Sequence, residues 1–322
     1  YMESTQFCGQ VCHETMAPEF EAHQVWPHAR VACTACHVGP GVGSFVEAKL
    51  AGTRQLYHLI RGQVAKPIPT PVRSLGRTND TCEGCHRLRA DRVALREIRE
   101  YADDEANSET VTSLLMKIGS PGEGGIHRHI GLDIEYVAID ETRRSIPFVR
   151  VRNAAGQVTE FTAEGTAVAQ IAQGTRRRMD CLDCHNRPAH TFAFTPQRAV
   201  DRALSQGALP RELPFVRREA VAVVSAEHPD QAAALTAIAA RLNEFYGSRP
   251  GTDAATVARA VTSTQEIWSH NVFPVMRVVF GTYPNHLGHV ETPGCFRCHD
   301  DKHKSADGKV ISQDCELCHS IQ

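Results

Sequence analysis

The chain has 322 residues, of which 42% are hydrophobic, 22% charged and only 6% aromatic, with a formal charge of −2. That balance gives no basis for gripping a polyanion such as nucleic acid. The length allows two modest domains or one elongated body, and the most apolar stretch of the chain's longest helical region, 232–240, is far too short to span a bilayer.

In chain order, residues 1–90 hold two Gly/Pro-rich connectors, at 38–43 and 66–71, with a short helix expected between them at 45–62. The alternating prolines of Lys66-Pro-Ile-Pro-Thr-Pro71 favour an extended chain. Residues 88–101 read as a charged helix. After the breaker Pro121-Gly-Glu-Gly-Gly125, residues 126–139 read as a strand, and 148–152 with 158–161 as a hairpin across Asn153-Ala-Ala-Gly156. A long helical region, 196–268, is interrupted at Pro210, Pro214, Pro229 and Ser248-Arg-Pro-Gly251.

The cysteines carry the chemistry. All twelve fall in pairs, and each pair is followed at once by histidine. The pairs are Cys8-Gly-Gln-Val-Cys12-His13, Cys33-Thr-Ala-Cys36-His37, Cys82-Glu-Gly-Cys85-His86, Cys181-Leu-Asp-Cys184-His185, Cys295-Phe-Arg-Cys298-His299 and Cys315-Glu-Leu-Cys318-His319. Two thiols held on one tight turn reach the two vinyl groups of a haem, and the next residue presents its imidazole to the iron. Paired-cysteine zinc sites do not require a histidine after every second thiol. A disulfide framework does not keep every spacing so short. The first motif is one residue longer, and a Cys8–Cys12 disulfide stays open as its alternative. The expected cofactors are six haem c groups, bound by the twelve cysteines as thioethers, with His13, His37, His86, His185, His299 and His319 as proximal iron ligands.

Eleven further histidines are available for the far side of the irons. Closing that side with histidine suits electron transfer, whereas an open iron suits chemistry on a small molecule. His28, His190, His286, His289 and His303 are the best placed, each within nine residues of a motif. His127 and His129 have strand spacing and face one side, so one of them is expected to reach an iron. Met16 is a candidate for the first iron or a core methionine. His23, His58, His228 and His270 lie in ordinary helical surroundings. Counting the cofactors, the charge becomes about −8 oxidised and about −14 reduced. The run Arg176-Arg177-Arg178 either pairs propionates or forms a solvated basic turn.

The fold expected is mainly α with extensive irregular structure, a haem-filled core and a small β insert. Residues 1–90 form a three-haem region, 91–180 a haem-free insert with a β-hairpin, and 181–322 a helical three-haem region. Attachment of this kind takes place outside the cytoplasm. The location expected is periplasmic or otherwise extracytoplasmic, with attachment to a membrane through a segment outside this sequence left open.

The stretches Phe7-Cys-Gly-Gln-Val-Cys-His-Glu-Thr-Met-Ala-Pro-Glu-Phe20 and Pro27-His-Ala-Arg-Val-Ala-Cys-Thr-Ala-Cys-His-Val-Gly-Pro-Gly41 resemble NapC/NirT-type multihaem cytochromes. The resemblance continues through Ile126-His-Arg-His129, Met179-Asp-Cys-Leu-Asp-Cys-His-Asn-Arg-Pro188 and Gly294-Cys-Phe-Arg-Cys-His-Asp300, so it covers nearly the whole chain. It implies a periplasmic or membrane-attached electron relay in the respiratory chain, in which a methionine close after the first motif can ligate the first haem. Met16 is the residue at that place, although it stands three rather than two residues beyond the motif histidine. The function expected is electron relay between a donor and a redox partner, with no catalytic residues assigned. Partners would be other redox proteins or a membrane quinol-oxidising or electron-transfer complex. A subunit of a larger complex, a self-assembling conductive filament and an oxyanion reductase are the alternatives.

Overall fold

The computed structural model describes residues 3–11, 13–39, 41–72, 75, 78–86, 93–121 and 124–322. The chain opens with short helices, Thr5–Gln10, His13–Gln24 and Cys33–His37, and then the longer Val42–Ile60. Ser4 starts the first by accepting a hydrogen bond from the Phe7 amide at 3.1 Å, which satisfies one of the free donors of a helix N-terminus. The helix expected at 45–62 is present as Val42–Ile60, and it buries none of its residues.

The next region departs from the helical expectation. Residues 88–92 lie outside the described part, and Val93–Tyr101 is a strand, β1, paired antiparallel with β2, Glu109–Lys117, from Val93↔Lys117 to Tyr101↔Glu109. The charges of β1 suit a largely solvated sheet, and its partner offers Thr110, Val111 and Thr112, residues that favour a pleated surface. Arg99 reaches both Glu97 along its own strand and Glu109 across the hairpin. Farther on, Ile126–Gly131 is a 3-10 helix and only Asp133–Ala138 is a strand, β3. The strand expected over 126–139 is therefore correct for its second half alone. The hairpin is as expected, with β4 at Phe148–Arg152 and β5 at Val158–Ala163. Completing the set are β6 (Thr175–Arg178), β7 (His303–Ser305) and β8 (His319–Ile321).

These strands form two antiparallel sheets, β1-β2-β8 and β6-β3-β4-β5-β7. The expectation of a mainly α protein with a small β insert is thereby corrected. The sheets are not confined to the middle of the chain, because β7 pairs with β5 and β8 with β2, and both late strands follow motifs of the C-terminal region. Short strands such as His303–Ser305 carry no periodicity long enough to read. They exist because an open sheet edge nearby takes up their backbone groups.

Four helices follow: Pro196–Ser205, Val216–Ser225, Gln231–Gly247 and Ala254–Ser269. The breaks fall at the expected prolines. Thr195, Asp230 and Asp253 cap three of the N-termini through the amides of Arg198, Ala233 and Thr256. Their inward faces share one apolar core that includes Val200, Leu209, Val216, Ile238, Leu242 and Trp268 and takes in Tyr101 from β1. A haem-filled interior does not describe this region, which is closed by side chains.

Two buried polar residues join the parts. Asn107 sits in the β1–β2 turn with φ 47°, a conformation asparagine tolerates. It is fully buried, donates to the carbonyls of Arg211 and Leu213, and accepts from the Arg217 amide. It therefore caps the helix Val216–Ser225 from another element. Asp183 is buried beside the larger sheet, accepting from the Tyr136 hydroxyl, Arg143, Arg177 and the Asp180 amide.

Asn107→Ala leaves the Arg211 carbonyl and the Arg217 amide without that partner and the Leu213 carbonyl with the Val216 amide alone, and is expected to cost about 2–4 kcal/mol. Urea denaturation followed by far-ultraviolet circular dichroism measures it, and an unchanged midpoint would remove Asn107 as a joint. Asp183→Asn removes the counter-charge of two partly buried arginines, Arg143 and Arg177, and is expected to cost about 3 kcal/mol, read as a lower midpoint in the same experiment.

Candidate functional site

Each described motif folds as one tight turn. The histidine amide donates back to the carbonyl of the first cysteine at 2.8 Å in the third and fourth motifs and 3.1 Å in the fifth, which turns both thiols to one side. Asp180 and Asp314 start the fourth and sixth turns by accepting from the amides of Leu182 and Glu316. Gly294 precedes Cys295 with φ +46°, and a Cβ there would strike the Gly288 carbonyl. The segment carrying His286 and His289 is thus pressed against the fifth motif.

The eleven described cysteines are free thiols. Cys8 is one of them, hydrogen-bonded to the Cys33 thiol, so the Cys8–Cys12 disulfide alternative is not what the structure contains. Cys12 and the side chain of His13 lie outside the described part. Burial pushes the Cys184 thiol up to about 11 and Cys298 to about 12. Cys82 is lowered to about 6, chiefly because the Cys181 thiol donates to it.

The imidazoles are grouped in pairs. Ring centroids lie 5.9 Å apart for His28 and His86, 6.2 Å for His37 and His190, 5.8 Å for His129 and His299, and 6.1 Å for His289 and His319. Two imidazoles bound through Nε2 on opposite faces of one metal, with bonds of about 2 Å, have centroids about 6 Å apart. Each pair joins a motif histidine to one of the distal candidates.

Ring orientation matches. Nδ1 donates to a carbonyl in His28 (Pro188, 2.9 Å), His190 (Glu19, 2.8 Å), His129 (Ile126, 2.7 Å) and His299 (Ser312, 2.7 Å). Such a bond fixes the tautomer with its lone pair on Nε2, the form a metal takes. Burial also lowers the pKa of His129 and His190, favouring the neutral ring. His286 is buried, its Nδ1 donates to the Asp183 carbonyl at 3.3 Å, and its Nε2 has no partner. An orphaned buried nitrogen of that kind is uncommon without a role. Its pKa is lowered to about 4, mainly by burial and next by Arg297.

Other candidates stand differently. His303 is buried with Nε2 donating to the Ile146 carbonyl and Nδ1 paired with Asp300, so neither nitrogen faces outward. His127 shares the 3-10 helix with His129, where residues two apart point to different sides. The shared face expected from strand spacing is therefore absent. Met16 is half-buried on the helix His13–Gln24. His23 lies 5.9 Å from His190, but its Nε2 donates to Val31.

Residues not singled out from the sequence complete the site. Glu19 holds Arg187 through both carboxylate oxygens, at 3.2 and 3.1 Å, beside His190. Arg297, inside the fifth motif, donates to the carbonyls of Gly294, Arg143 and Asp183. Arg176, Arg177 and Arg178 are paired with Glu135, Asp180 with Asp183, and Asp133 respectively. Carboxylates of the chain itself are thus their partners. Among the described residues no helix is long and apolar enough to cross a membrane.

No protein-family model matches the chain, and no solved structure matches it. Among characterised proteins it is 41% identical to the cytochrome c-type protein ImcH of Geobacter sulfurreducens, over 334 aligned positions. The alignment takes in all of this chain and 65% of that protein, so the chain spans just under two thirds of its relative's length. A match of that extent, to a cytochrome c-type protein, supports a multihaem c-type cytochrome, the reading to which the paired thiols and paired imidazoles also point.

Proposed function

We propose that this chain is a hexahaem c-type cytochrome of NapC/NirT type, working outside the cytoplasm as an electron relay between a membrane or periplasmic donor and a second redox protein. The observation that carries the reading is the set of four imidazole pairs with centroids 5.8 to 6.2 Å apart. Thiol pairs lie on tight turns in the described motifs, which is the donor set that covalent haem requires.

That geometry supports the following roles, with those of Cys12, His13 and Met16 resting on the sequence alone. The twelve cysteines anchor, and His13, His37, His86, His185, His299 and His319 bind iron from the near side. On the far side, His190 faces His37, His28 faces His86, His129 faces His299 and His289 faces His319. His286, whose Nδ1 is tied to the fourth motif through the Asp183 carbonyl and whose buried Nε2 has no partner, serves His185, and Met16 serves the first motif. His303 holds the β7 edge to the Ile146 carbonyl rather than an iron.

A haem held in this way supplies an iron that changes between ferric and ferrous states without gaining or losing a ligand. The protein's part is to keep the imidazoles neutral, fix their rings and keep water from the iron. Glu19 and Arg187 fix the segment that carries His190, and Arg297 fixes the turn that carries His299. Haems held by the four histidine pairs would each have an imidazole of the chain on either side of the iron, an arrangement that would suit relay rather than chemistry on a small molecule.

The purified protein is expected to carry six haems by mass and by pyridine haemochrome absorbance, and to show a mainly low-spin ferric resonance spectrum. Fewer than six haems, or a dominant high-spin signal, would overturn the reading. His129→Ala is expected to convert one haem's share of the low-spin signal to high-spin and leave the other haems' signals in place. Retention of the full low-spin signal would remove His129 as a ligand.

A further inference from the structure

We infer that the six attachment motifs lie in space in the same order as in the sequence, as a single unbranched file whose ends are the first and sixth motifs. The inference rests on the haem reading above and adds to it the route through the molecule.

Neighbouring motifs are linked one after another. The thiols of Cys8 and Cys33 are hydrogen-bonded, joining the first motif to the second. Cys36 lies within electrostatic reach of both Cys82 and Cys85, and the His28 ring, just ahead of the second motif, sits against His86 of the third. The Cys181 thiol donates to Cys82 and also bonds Thr78, joining the third motif to the fourth. Between the fourth and fifth, Arg297 donates to the Asp183 carbonyl at 2.6 Å, and Cys184 lies near Cys295 and Cys298. Cys318 lies near Cys295, and His289, ahead of the fifth motif, faces His319 of the sixth.

Each of these thiol approaches joins consecutive motifs. A sulfur that becomes a thioether stays where its backbone holds it, so at the first–second and third–fourth links, where the thiols are bonded to each other, the vinyl-bearing edges of two porphyrins are brought together. That edge contact is the shortest path an electron can take between them. The ligands braid the middle of the file: His190 follows the fourth motif and faces His37 of the second, and its Nδ1 is held by the Glu19 carbonyl. The first and sixth motifs each have one such neighbour and the others two. Cys315 and Leu317 at the sixth motif and Val11 at the first are exposed, as is Cys85 at the third, so it is the succession of neighbours and not exposure that sets the ends. Electrons would therefore come in at the first or the sixth motif and leave at the other.

The test uses the haem-loaded protein. Iron positions located by anomalous scattering from its crystals are expected to be traced, by shortest successive steps, in the order His13, His37, His86, His185, His299, His319. Any other order overturns the inference while leaving the haem count intact. A protein without a Soret band would instead overturn the haem reading itself. In solution, Cys315→Ala with Cys318→Ala is expected to remove one haem's mass and shift the potential of one other haem, that of the fifth motif. Cys181→Ala with Cys184→Ala is expected to shift two, those of the third and fifth. A terminal deletion that shifts several potentials, or none, counts against the file. Should either variant fail to fold, the iron positions decide alone.

Discussion

The hydrogen bond from a histidine Nδ1 to a main-chain carbonyl is the interaction on which the rest depends. An imidazole offers a metal one lone pair, and it does so reliably only when the other nitrogen is held as a donor. In His28 and His190 the carbonyl belongs to a segment more than 150 residues away, Pro188 for one and Glu19 for the other. The same bond that fixes the ring therefore also closes the chain. The helix His13–Gln24, the turn before Cys33 and the loop after His185 are brought together by these histidine–carbonyl bonds.

That arrangement explains how the stabilising contacts are distributed. Around the motifs there is little continuous apolar core, and polar contacts hold the turns. Arg187 and Glu19 are an example, with side chains only 8% and 11% exposed. Buried charges of this kind persist when both partners and their remaining hydrogen bonds are satisfied, and Arg187 also donates to the His190 carbonyl and lies over the Tyr283 ring. The hydrophobic contribution comes largely from elsewhere, in the four-helix region with Trp268, Leu242 and Ile238 at its centre. Asn107 couples that region to the first sheet. Stability and redox chemistry are thus assigned to different parts of one chain, joined at a few buried polar residues.

The legible and illegible features divide along physical lines. The motifs were legible because covalent attachment demands a fixed local order, and the helical region 196–268 because prolines punctuate it. The hairpin 148–163 announced itself by alternation and a turn. Strand β1 did not, since Arg and Glu at helical spacing imitate a charged helix and only the facing β2 decides the matter. Strands β7 and β8 are three residues long and owe their existence to edges built by distant segments. Histidine pairing was equally out of reach. His129 and His299 are separated by 170 positions, and no local pattern states that they meet. Asp183 and Arg187 did stand in a quoted stretch, Met179-Asp-Cys-Leu-Asp-Cys-His-Asn-Arg-Pro188. Their roles depend on Tyr136, Arg143 and Glu19, which lie far from it in sequence.

Charge and neutrality meet most closely at the fourth and fifth motifs. A ligand histidine must be neutral, yet the turns that carry the thiols are tied by guanidinium groups. The two requirements support each other at His286. Removing water already disfavours the imidazolium, and the Arg297 and Arg143 charges disfavour it further, which together bring the ring to about 4. Arg297 can remain buried because its three hydrogen bonds go to main-chain carbonyls rather than to a carboxylate that would cancel its field. Arg143 and Arg177 are balanced by Asp183, which keeps the same turn from accumulating repulsion. Positive charge placed beside the His286 ring without bonding to it leaves Nε2 unprotonated across the neutral range, while the carbonyl of Asp183 fixes the opposite edge of the ring.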